Sequence, residues 1–301
     1  MRRSSRRLSA PHLGEDAVAA LERHRDHHFR RVRSRRIAGE RAALAFINQV
    51  GFCAAFTCGL GVPCLREAIA GEREPPVPEH LQHDYAIGMT WRIKDSLPAK
   101  KLAYYGKVIG GRPGFIALDQ LPSFLRLRVE PGGWLRMYRR GQLSLCAKLV
   151  MDALTRRGAA ETMALKLSSG FAQRSRRAEF DRAMKELQHN FLALKVEERY
   201  EPFTYVWDTM EHRWAQALKL ARTLPRRDAA YAIARRYFEV AGYASEKSAA
   251  RLLGIDPALI ETVSRRLERE GVIVRGARLA GMAGAYSVLA EVMPEKPPAL
   301  V

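Results

Sequence analysis

The sequence contains Leu187-Gln188-His189-Asn190-Phe191-Leu192-Ala193-Leu194 and, 80 residues later, Leu267-Glu268-Arg269-Glu270-Gly271-Val272-Ile273-Val274. In both stretches the end of an amphipathic helix runs directly into an apolar strand. At this offset the apolar positions coincide, pairing Phe180 with Ile260, Ala183 with Val263, Leu187 with Leu267 and Leu194 with Val274. Self-similarity at a fixed offset indicates a repeated structural unit. A helix that ends in a short hairpin, after two shorter helices, is typical of a winged helix-turn-helix.

The repeat predicts a mainly α fold with short β-wings, in which tandem winged helix-turn-helix units follow a small mixed N-terminal domain. In the copy at 142–207, helical periodicity covers 144–157, 161–167 and 177–189, and the hairpin covers 191–200 and 203–207. The copy at 226–293 is predicted to have helices over 227–240, 245–253 and 256–270, and its wing opens at 272–275. Asp256 before Pro257 is a typical helix start.

The region before the two copies divides into an arm and a domain. Residues 1–36 carry eleven arginines against four carboxylates, which predicts a basic arm, disordered over its first dozen residues and helical from about 15 to 36. This arm is either solvated or lies along phosphates. Residues 37–135 are predicted to be a small α/β domain, and a divergent winged helix is one interpretation of them. The helical spacing of its first apolar residues predicts a helical segment over 37–70.

The charge of the chain favours a polyanionic partner. Lys and Arg number 51 against 32 Asp and Glu, which gives a formal net charge of +19. Such an excess gathers polyanions around a protein, and arginine binds phosphate in a bidentate manner. Double-stranded DNA is therefore the predicted partner, although winged helices also serve as protein-docking modules.

Other features of the sequence bear on location. No apolar stretch of 18 residues and no secretory h-region occur in it, so neither a membrane span nor export is predicted. Four cysteines in 301 residues are typical of a reducing compartment. The expected location is the cytoplasm, in association with the nucleoid, and the expected state is a monomer.

In a helix-turn-helix, exposed side chains of the third helix meet phosphates and base edges. The predicted DNA-binding residues are Arg174, Arg176, Arg177, Arg182 and Lys185 in the copy at 142–207, and Arg265, Arg266 and Arg269 in the copy at 226–293, with Arg275 and Arg278 on its wing. Any exposed helix also carries cations, and acidic neighbours dilute the charge of both helices.

Few patterns in the sequence indicate chemistry. Cys53, Cys58 and Cys64 lie among apolar residues at spacings that are atypical of zinc sites, so no metal and no cofactor are predicted. P-loop, dinucleotide, zinc-protease and nucleophile-elbow motifs do not occur in the sequence. The segment 91–107 brings aromatic and basic residues together with Asp95. It is either an aromatic core edge with ordinary ion pairs or a set that stacks a base and clamps a phosphate.

Four elements of the chain follow one another in a recognisable order. They are the helix end Leu154-Thr155-Arg156-Arg157-Gly158, the segment 160–167, the helix Phe180-Asp181-Arg182-Ala183-Met184-Lys185-Glu186-Leu187-Gln188, and the aromatic Tyr205-Val206-Trp207. In these residues the chain resembles the tandem winged-helix fold of the bacterial crosslink-repair (AlkZ-type) DNA glycosylases. Members of this family stack three winged helices around a central channel, which implies that 37–135 holds a divergent first unit.

The resemblance also implies an activity. The family cleaves the bond between a damaged purine and its sugar, using a Gln-x-Gln or Gln-x-Asp pair in the first unit that positions a water and stabilises the oxocarbenium-like sugar. Here an early helix reads Asn48-Gln49-Val50-Gly51, and Gln82-His83-Asp84 matches Gln-x-Asp. The candidate catalytic residues are therefore Gln49, Gln82 and Asp84, together with Asp95 from the segment 91–107.

The leading functional prediction is a duplex-DNA-binding protein, related to these glycosylases, that excises bulky alkylated purines by N-glycosidic hydrolysis. One alternative is a non-catalytic DNA-binding protein, such as a regulator or a repair accessory factor. Another is a protein-docking module whose charge sustains solubility. A steep fall of DNA affinity with salt separates DNA binding from docking, and base release from alkylated DNA separates the two DNA-binding alternatives.

Overall fold

One order of elements occurs three times in the structure, a computed structural model that describes residues 11–130 and 132–293. Each unit has a helix, a short strand, two further helices and a β-hairpin, and the short strand pairs with the second strand of the hairpin. The prediction of a mainly helical fold with small sheets is confirmed. Of the first dozen residues, predicted to be disordered, residues 1–10 lie outside the described residues, whereas for 11 and 12 the prediction is wrong, because His12 pairs with Arg278 in a strand. Residues 294–301, for which the sequence predicts a loose tail, also lie outside the described residues.

The elements follow in chain order. The first are β1 (His12–Leu13) and α1 (Glu15–Phe29). The N-terminal unit comprises α2 (Glu40–Val50), β2 (Phe52–Ala54), α3 (Leu65–Ala70), α4 (Tyr85–Ala99), β3 (Tyr104–Ile109) and β4 (Arg112–Ile116). The connecting helices are α5 (Leu121–Arg128) and α6 (Gly133–Arg139). The middle unit comprises α7 (Leu145–Arg157), β5 (Ala160–Glu161), α8 (Thr162–Ser168), α9 (Arg177–His189), β6 (Ala193–Tyr200) and β7 (Phe203–Thr209).

The remaining elements complete the third unit. A second pair of connecting helices is α10 (Met210–Arg213) and α11 (Ala215–Thr223). The C-terminal unit comprises α12 (Arg226–Ala241), β8 (Tyr243–Ala244), α13 (Glu246–Leu253), α14 (Pro257–Arg269), β9 (Ile273–Leu279) and β10 (Tyr286–Leu289). Short 3-10 turns lie at Arg33–Arg35, Leu81–His83, Arg174–Arg176 and Ala290–Val292. None of the described helices is long and apolar enough to span a membrane.

Local sequence sets the ends of these helices. Side-chain oxygens of Asp84, Ser144, Ser245 and Asp256 accept hydrogen bonds from backbone N–H groups in the first turns of α4, α7, α13 and α14. Gly254 follows α13 with a φ of 62°, in the left-handed region that favours glycine. The predicted helix over 177–189 coincides with α9, because its period and its boundaries are both explicit in the sequence.

The buried faces predicted from the repeat are confirmed. Buried side chains occupy matching positions of the third helices, namely Phe180, Ala183 and Leu187 in α9 and Ile260, Val263 and Leu267 in α14. The middle unit has a core of its own, whereas the N-terminal and C-terminal units share one. Phe191 and Leu194 of the middle unit extend into that shared core. The ring of Phe191 stacks on Tyr104 at a centroid distance of 5.3 Å, so the units are packed together by buried aromatics.

The N-terminal region differs from the prediction in two places. The segment 37–70, predicted to be helical, contains β2, which pairs with β4 of the hairpin. The predicted solvated or phosphate-bound arm does not hold for residues 12–29, because β1 pairs in parallel with β9 and α1 packs on α12. Leu21 and Phe29 are buried there, and Arg25 donates hydrogen bonds to the carbonyls of Ala241 and Tyr243. Residues 12–29 therefore pack on the C-terminal unit.

Candidate nucleic-acid interface

A groove of about 500 Å³ lies between the hairpin of the N-terminal unit and the third helix and hairpin of the middle unit. Strands β3 and β4 form one wall, and α9, β6 and β7 form the other. Aromatic side chains line it, namely Tyr104, Tyr105, Phe180, Tyr205 and Trp207. Cationic side chains also line it, namely Lys107, Lys166, Arg177, Lys185 and Lys195. Among the described lining residues, Asp181 is the one carboxylate, so the groove is strongly cationic.

Three of these cations are available to an external anion. Lys107, Lys166 and Lys185 form no ion pair with any residue that the structure describes. Arg177 lies 3.8 Å from Asp181, but both side chains are more than half exposed, so water screens this pair. A phosphate that enters the groove thus meets cations whose charge is not already neutralised.

Aromatic rings continue the groove toward the tip of the middle hairpin. Tyr200, Phe203, Tyr205 and Trp207 form a ladder in which neighbouring ring centroids are 5.1 to 5.9 Å apart. Residues two apart on a strand face the same side, which explains the ladder on β7. A second cavity of about 410 Å³ shares Tyr105, Pro113, Lys195 and Tyr205 with the groove. Tyr200 and Phe203 are each 58% exposed, so their faces are open to a ligand.

Phe56 and Trp91 stand on the opposite side of this second cavity. Their ring centroids are 5.4 Å apart, and Trp91 is 47% exposed. The ammonium of Lys94 lies 4.3 Å from the centre of the Trp91 ring, within the range of a cation–π interaction. The cavity therefore combines flat apolar surfaces with charge at its floor, a set suited to a planar aromatic ligand that carries a phosphate.

A cluster of charges forms that floor. Lys94 on α4 lies 2.8 Å from Glu198 and 2.5 Å from Asp95, and Lys195 on β6 also contacts Glu198. The hydroxyl of Tyr200 donates a hydrogen bond to Asp95 at 2.6 Å. The side chains of Lys94 and Glu198 are each 2% exposed, whereas that of Asp95 is 27% exposed. Glu198 lines the second cavity and Asp95 lies next to that lining, but Asp95 is the carboxylate of this cluster that is partly exposed.

The surroundings of this cluster shift the pKa values of several groups. Burial lowers the pKa of Lys94, against the opposing effect of Asp95. Burial, together with the charge of Lys94, lowers the pKa of Lys195 to about 8. Burial raises the pKa of Tyr200 to about 12, and the hydrogen bond to Asp95 adds to this effect. Burial likewise raises the pKa of Tyr105 above its usual value. Near neutral pH the tyrosines are therefore hydrogen-bond donors.

A β-bulge aims the side chains of β6 at the cluster. The pairing of β6 with β7 shifts register between Lys195 and Glu197. A bulge interrupts the regular alternation of side chains between the two faces of a strand. Side chains near Val196 can therefore face the cluster, although a regular strand would direct some of them to the opposite face. Glu198 then contacts both Lys195 of its own strand and Lys94 of the neighbouring unit.

The predicted catalytic residues are not brought together. Gln49 is exposed on α2, where its side chain accepts a hydrogen bond from Arg30 and its carbonyl accepts one from Arg236. Asp84 caps α4 by accepting a hydrogen bond from the Ile87 N–H at 2.6 Å. Gln82 lies in the 3-10 turn that precedes α4, and its side chain lies outside what the structure describes. Of the four candidates, Asp95 is the one that lies in the cluster beside the groove.

The predicted DNA-binding residues fall into two groups. Arg174, Arg177, Arg182 and Lys185 are exposed in the middle unit, and Arg177 and Lys185 line the groove. Arg176 instead turns back, with hydrogen bonds to the Gly170 carbonyl and to Glu179. The side chain of Arg176 is thus already occupied by partners within its own unit.

In the C-terminal unit most of the predicted cations are paired. Arg265 pairs with Glu261, and Arg275 pairs with Glu246 at 2.6 Å. Arg266 pairs with both Glu270 and Asp228 and lies over the Tyr231 ring. Arg269 and Arg278 are exposed and form no ion pair with the described residues. A phosphate would therefore compete with a carboxylate at the paired positions.

Three further lysines line the groove that were not among the predicted DNA-binding residues, namely Lys107, Lys166 and Lys195. A signal for the hairpin was present, because Phe203, Tyr205 and Trp207 alternate along one strand. Lys107 ends the segment 91–107, which stands out for its aromatic and basic residues, but its place in the groove depends on the packing of two units that are distant in sequence.

One group of described residues has the donor types of a metal site. Sulfur atoms of Cys58 and Cys64 and a carboxylate oxygen of Glu67 lie within 4.8 Å of one another. Glu67, however, accepts two hydrogen bonds from Arg31, at 3.0 and 2.9 Å, and one from the Glu74 N–H. Both carboxylate oxygens are thus already satisfied by the protein, and a metal ion would have to displace a buried arginine.

Comparisons with known proteins agree with the resemblance seen in the sequence. A family model described as AlkZ related matches residues 37–254. Among solved structures, the Streptomyces sahachiroi DNA glycosylase AlkZ is similar with a TM-score of 0.58 and 14% sequence identity. The similarity covers 93% of this chain and 71% of that chain, and at this identity it shows the fold. A search of curated proteins found no match.

Proposed function

The chain belongs to the AlkZ-related family, and on this basis we propose that it binds duplex DNA in the groove between its N-terminal and middle units. The single observation that carries the proposal is the lining of that groove. Cations that are free of carboxylate partners lie there together with the partly exposed rings of Tyr105 and Tyr205. Phosphate contacts supply most of the affinity of such interfaces, and ring faces stack on bases that leave the helix.

We interpret the three units as winged helices. The element order helix, strand, helix, helix, hairpin and the matching sheet orders support this interpretation. In a winged helix the third helix enters the major groove. In the middle unit that helix is α9, and its residues Arg177, Asp181 and Lys185, each four positions apart, line the groove. Residues four apart share one face of a helix, so α9 presents this face to the proposed DNA.

A second proposal is catalytic, and the position of Asp95 beside the second cavity favours it. In base excision, water adds to C1′ of the sugar while the bond to the damaged purine breaks and the base leaves with the bonding electrons. Positive charge develops on the sugar, and a carboxylate stabilises it or accepts a proton from the water. Asp95 is a partly exposed carboxylate beside an aromatic cavity, held in place by Lys94 and Tyr200. Bulky alkylated purines are the proposed substrate.

The experiment combines binding and base release on one set of proteins. Duplex DNA with a bulky alkylated guanine is incubated with the wild type, Asp95→Asn and Gln49→Ala. Base release that Gln49→Ala keeps and Asp95→Asn loses supports the catalytic proposal, provided that both variants still bind. Release that survives in Asp95→Asn overturns the assigned role of Asp95. Salt-sensitive binding with no release in the wild type leaves the non-catalytic alternative, a regulator or repair accessory protein.

Failure of the binding proposal has a distinct signature. If affinity for duplex DNA is weak and independent of salt, the groove does not bind phosphates, and the protein-docking alternative is favoured. As part of the proposal, the protein acts as a monomer on nucleoid DNA in the cytoplasm. Light scattering of the free protein and of its DNA complex tests the monomer, and fractionation of cells with and without nuclease tests the association with the nucleoid.

A further inference from the structure

The loop between β2 and α3 holds two cysteines in contact. The sulfur atoms of Cys58 and Cys64 are 3.5 Å apart, at hydrogen-bonding distance. The thiols also lie near the carbonyl oxygens of Phe56 and Ala55, at 3.5 and 3.6 Å respectively. Cys64 is buried and Cys58 is half-buried, so one thiol of the pair can be reached from solvent. Two thiols arranged in this way form a pair rather than two independent core fillers.

We propose that Cys58 and Cys64 are a redox-active dithiol, in which Cys58 reacts with a hydroperoxide and Cys64 resolves the product to a disulfide. In the first step the Cys58 thiolate attacks one peroxide oxygen, the O–O bond breaks, and the other oxygen leaves as water or an alcohol after protonation. Cys58 becomes a sulfenic acid. The Cys64 sulfur then attacks the Cys58 sulfur and expels water. The two thiols are oxidised to one disulfide, and the peroxide is reduced.

The loop permits the required movement. A disulfide bond is about 2.05 Å long, so the two sulfurs must approach each other by roughly 1.5 Å. Gly59 and Gly61 lie between the cysteines, with φ values of 70° and 74°, so the connection turns through residues that carry no Cβ. Gly59 is also exposed. Cys64 directly precedes α3 and forms a bridge with Ala54 of β2, so the approach falls to Cys58 and the glycine-containing turn.

The electrostatic surroundings favour Cys58 as the attacking thiol. The hydrogen bond with Cys64 lowers the pKa of Cys58, and it outweighs burial and the charge of Glu67, which raise that pKa; Arg66 and Arg31 add smaller lowering effects. Burial, followed by the hydrogen bond and the charge of Cys58, raises the pKa of Cys64 well above its ordinary value, so Cys64 is the less reactive of the two thiols toward a peroxide. Burial also raises the pKa of Cys53 to about 12. Thiolates are the reactive form, so these differences rank Cys58 first.

The same cluster argues against a metal as the function of the pair. The third donor, Glu67, is fully buried and is held by Arg31, whose side chain is 7% exposed. A metal bound by Glu67 would leave that guanidinium buried without its partner, which is strongly unfavourable. Oxidation of the two thiols needs no change at Glu67.

The test follows thiols in the full-length protein. The reduced wild type is titrated with hydrogen peroxide, the remaining thiols are alkylated, and the peptides are mapped by mass. We expect a Cys58–Cys64 disulfide that dithiothreitol reverses. We also expect Cys58 to be alkylated at least about tenfold faster than half-buried Cys146. Cys64→Ser should stop at a Cys58 sulfenic acid that dimedone traps, whereas Cys146→Ser should behave as the wild type.

Several outcomes would overturn the proposal. Both cysteines could remain alkylatable after peroxide treatment, or Cys146 could oxidise first. Alternatively, metal analysis could find a tightly bound zinc whose removal is needed before Cys58 reacts. Because the wild type itself gives the readout, a variant that fails to fold does not decide the result. DNA binding is not measured, so this test is independent of the proposed function.

Discussion

Neutralising three groove cations should weaken DNA binding through its dependence on salt. The change is Lys107→Gln, Lys166→Gln and Lys185→Gln in one protein. These side chains line the groove and have no ion-pair partner among the described residues. Each phosphate contact contributes about 0.9 to the slope of log affinity against log salt. If all three bind phosphates, the magnitude of the slope falls by about 2.7. Raising the salt concentration from about 0.05 to 0.2 M then reduces the affinity of the variant by a factor that is roughly 40-fold smaller than the factor for the wild type.

A matched variant separates local contacts from net charge. Lys219→Gln, Arg227→Gln and Lys247→Gln also removes three positive charges, from exposed residues that do not line the groove. Fluorescence anisotropy with one labelled duplex, at four or more salt concentrations, gives both slopes. The control should change the slope by less than half as much as the groove variant. Equal effects would show that only the overall charge matters, and an unchanged slope in the groove variant would refute the location of the interface.

Three further predictions follow from single positions. Phe191→Ala should lower the free energy of unfolding, measured by urea denaturation, by about 3–5 kcal/mol, because Phe191 is buried between two units. As a control, Phe203→Ala at an exposed site should change this free energy by less than about 0.5 kcal/mol. Burial lowers the pKa of Lys195 in the folded protein to about 8, so between pH 8 and about 10 the unfolded chain binds more protons at this residue and the free energy of unfolding rises with pH. Lys195→Met should flatten that rise in thermal denaturation measured across this pH range. Arg269→Gln should weaken DNA binding more than Arg266→Gln, since Arg266 is already paired; the reverse order in anisotropy would count against the pairing argument.

The fold was predictable where apolar residues at helical spacing occur together with residues that mark the start or the end of a helix. Helix α9 and the three helices of the C-terminal unit have apolar positions at helical spacing, and caps such as Asp256 mark their starts. The N-terminal unit was not predicted in the same way. Strand β2 is three residues long and pairs with a strand some sixty residues away, so no local pattern distinguishes it from a continuation of α2. The docking of α1 likewise depends on a surface that only the folded chain provides.

The candidate site was less predictable than the fold because it forms between units. Asp95 was a candidate from its aromatic and basic neighbours in sequence, and it does lie beside the groove. Its partner Tyr200 is 105 residues away, so the contact could not be inferred from spacing. Gln49 and Asp84 matched short motifs, but the structure gives Asp84 the role of a helix cap. Motifs of three residues recur by chance, whereas a contact between units requires the whole fold.

The three units share an order of elements but differ in how their charges are satisfied. In the C-terminal unit, carboxylates of the same unit neutralise Arg265, Arg266 and Arg275. Its sheet is extended by β1, and its first helix is covered by α1, so this unit is tied to the start of the chain. At the junction of the other two units, cations face the groove without partners, although repulsion among them opposes folding. Such a cost is offset when a polyanion binds. On this argument, DNA should raise the melting temperature of the wild type more than that of the groove variant.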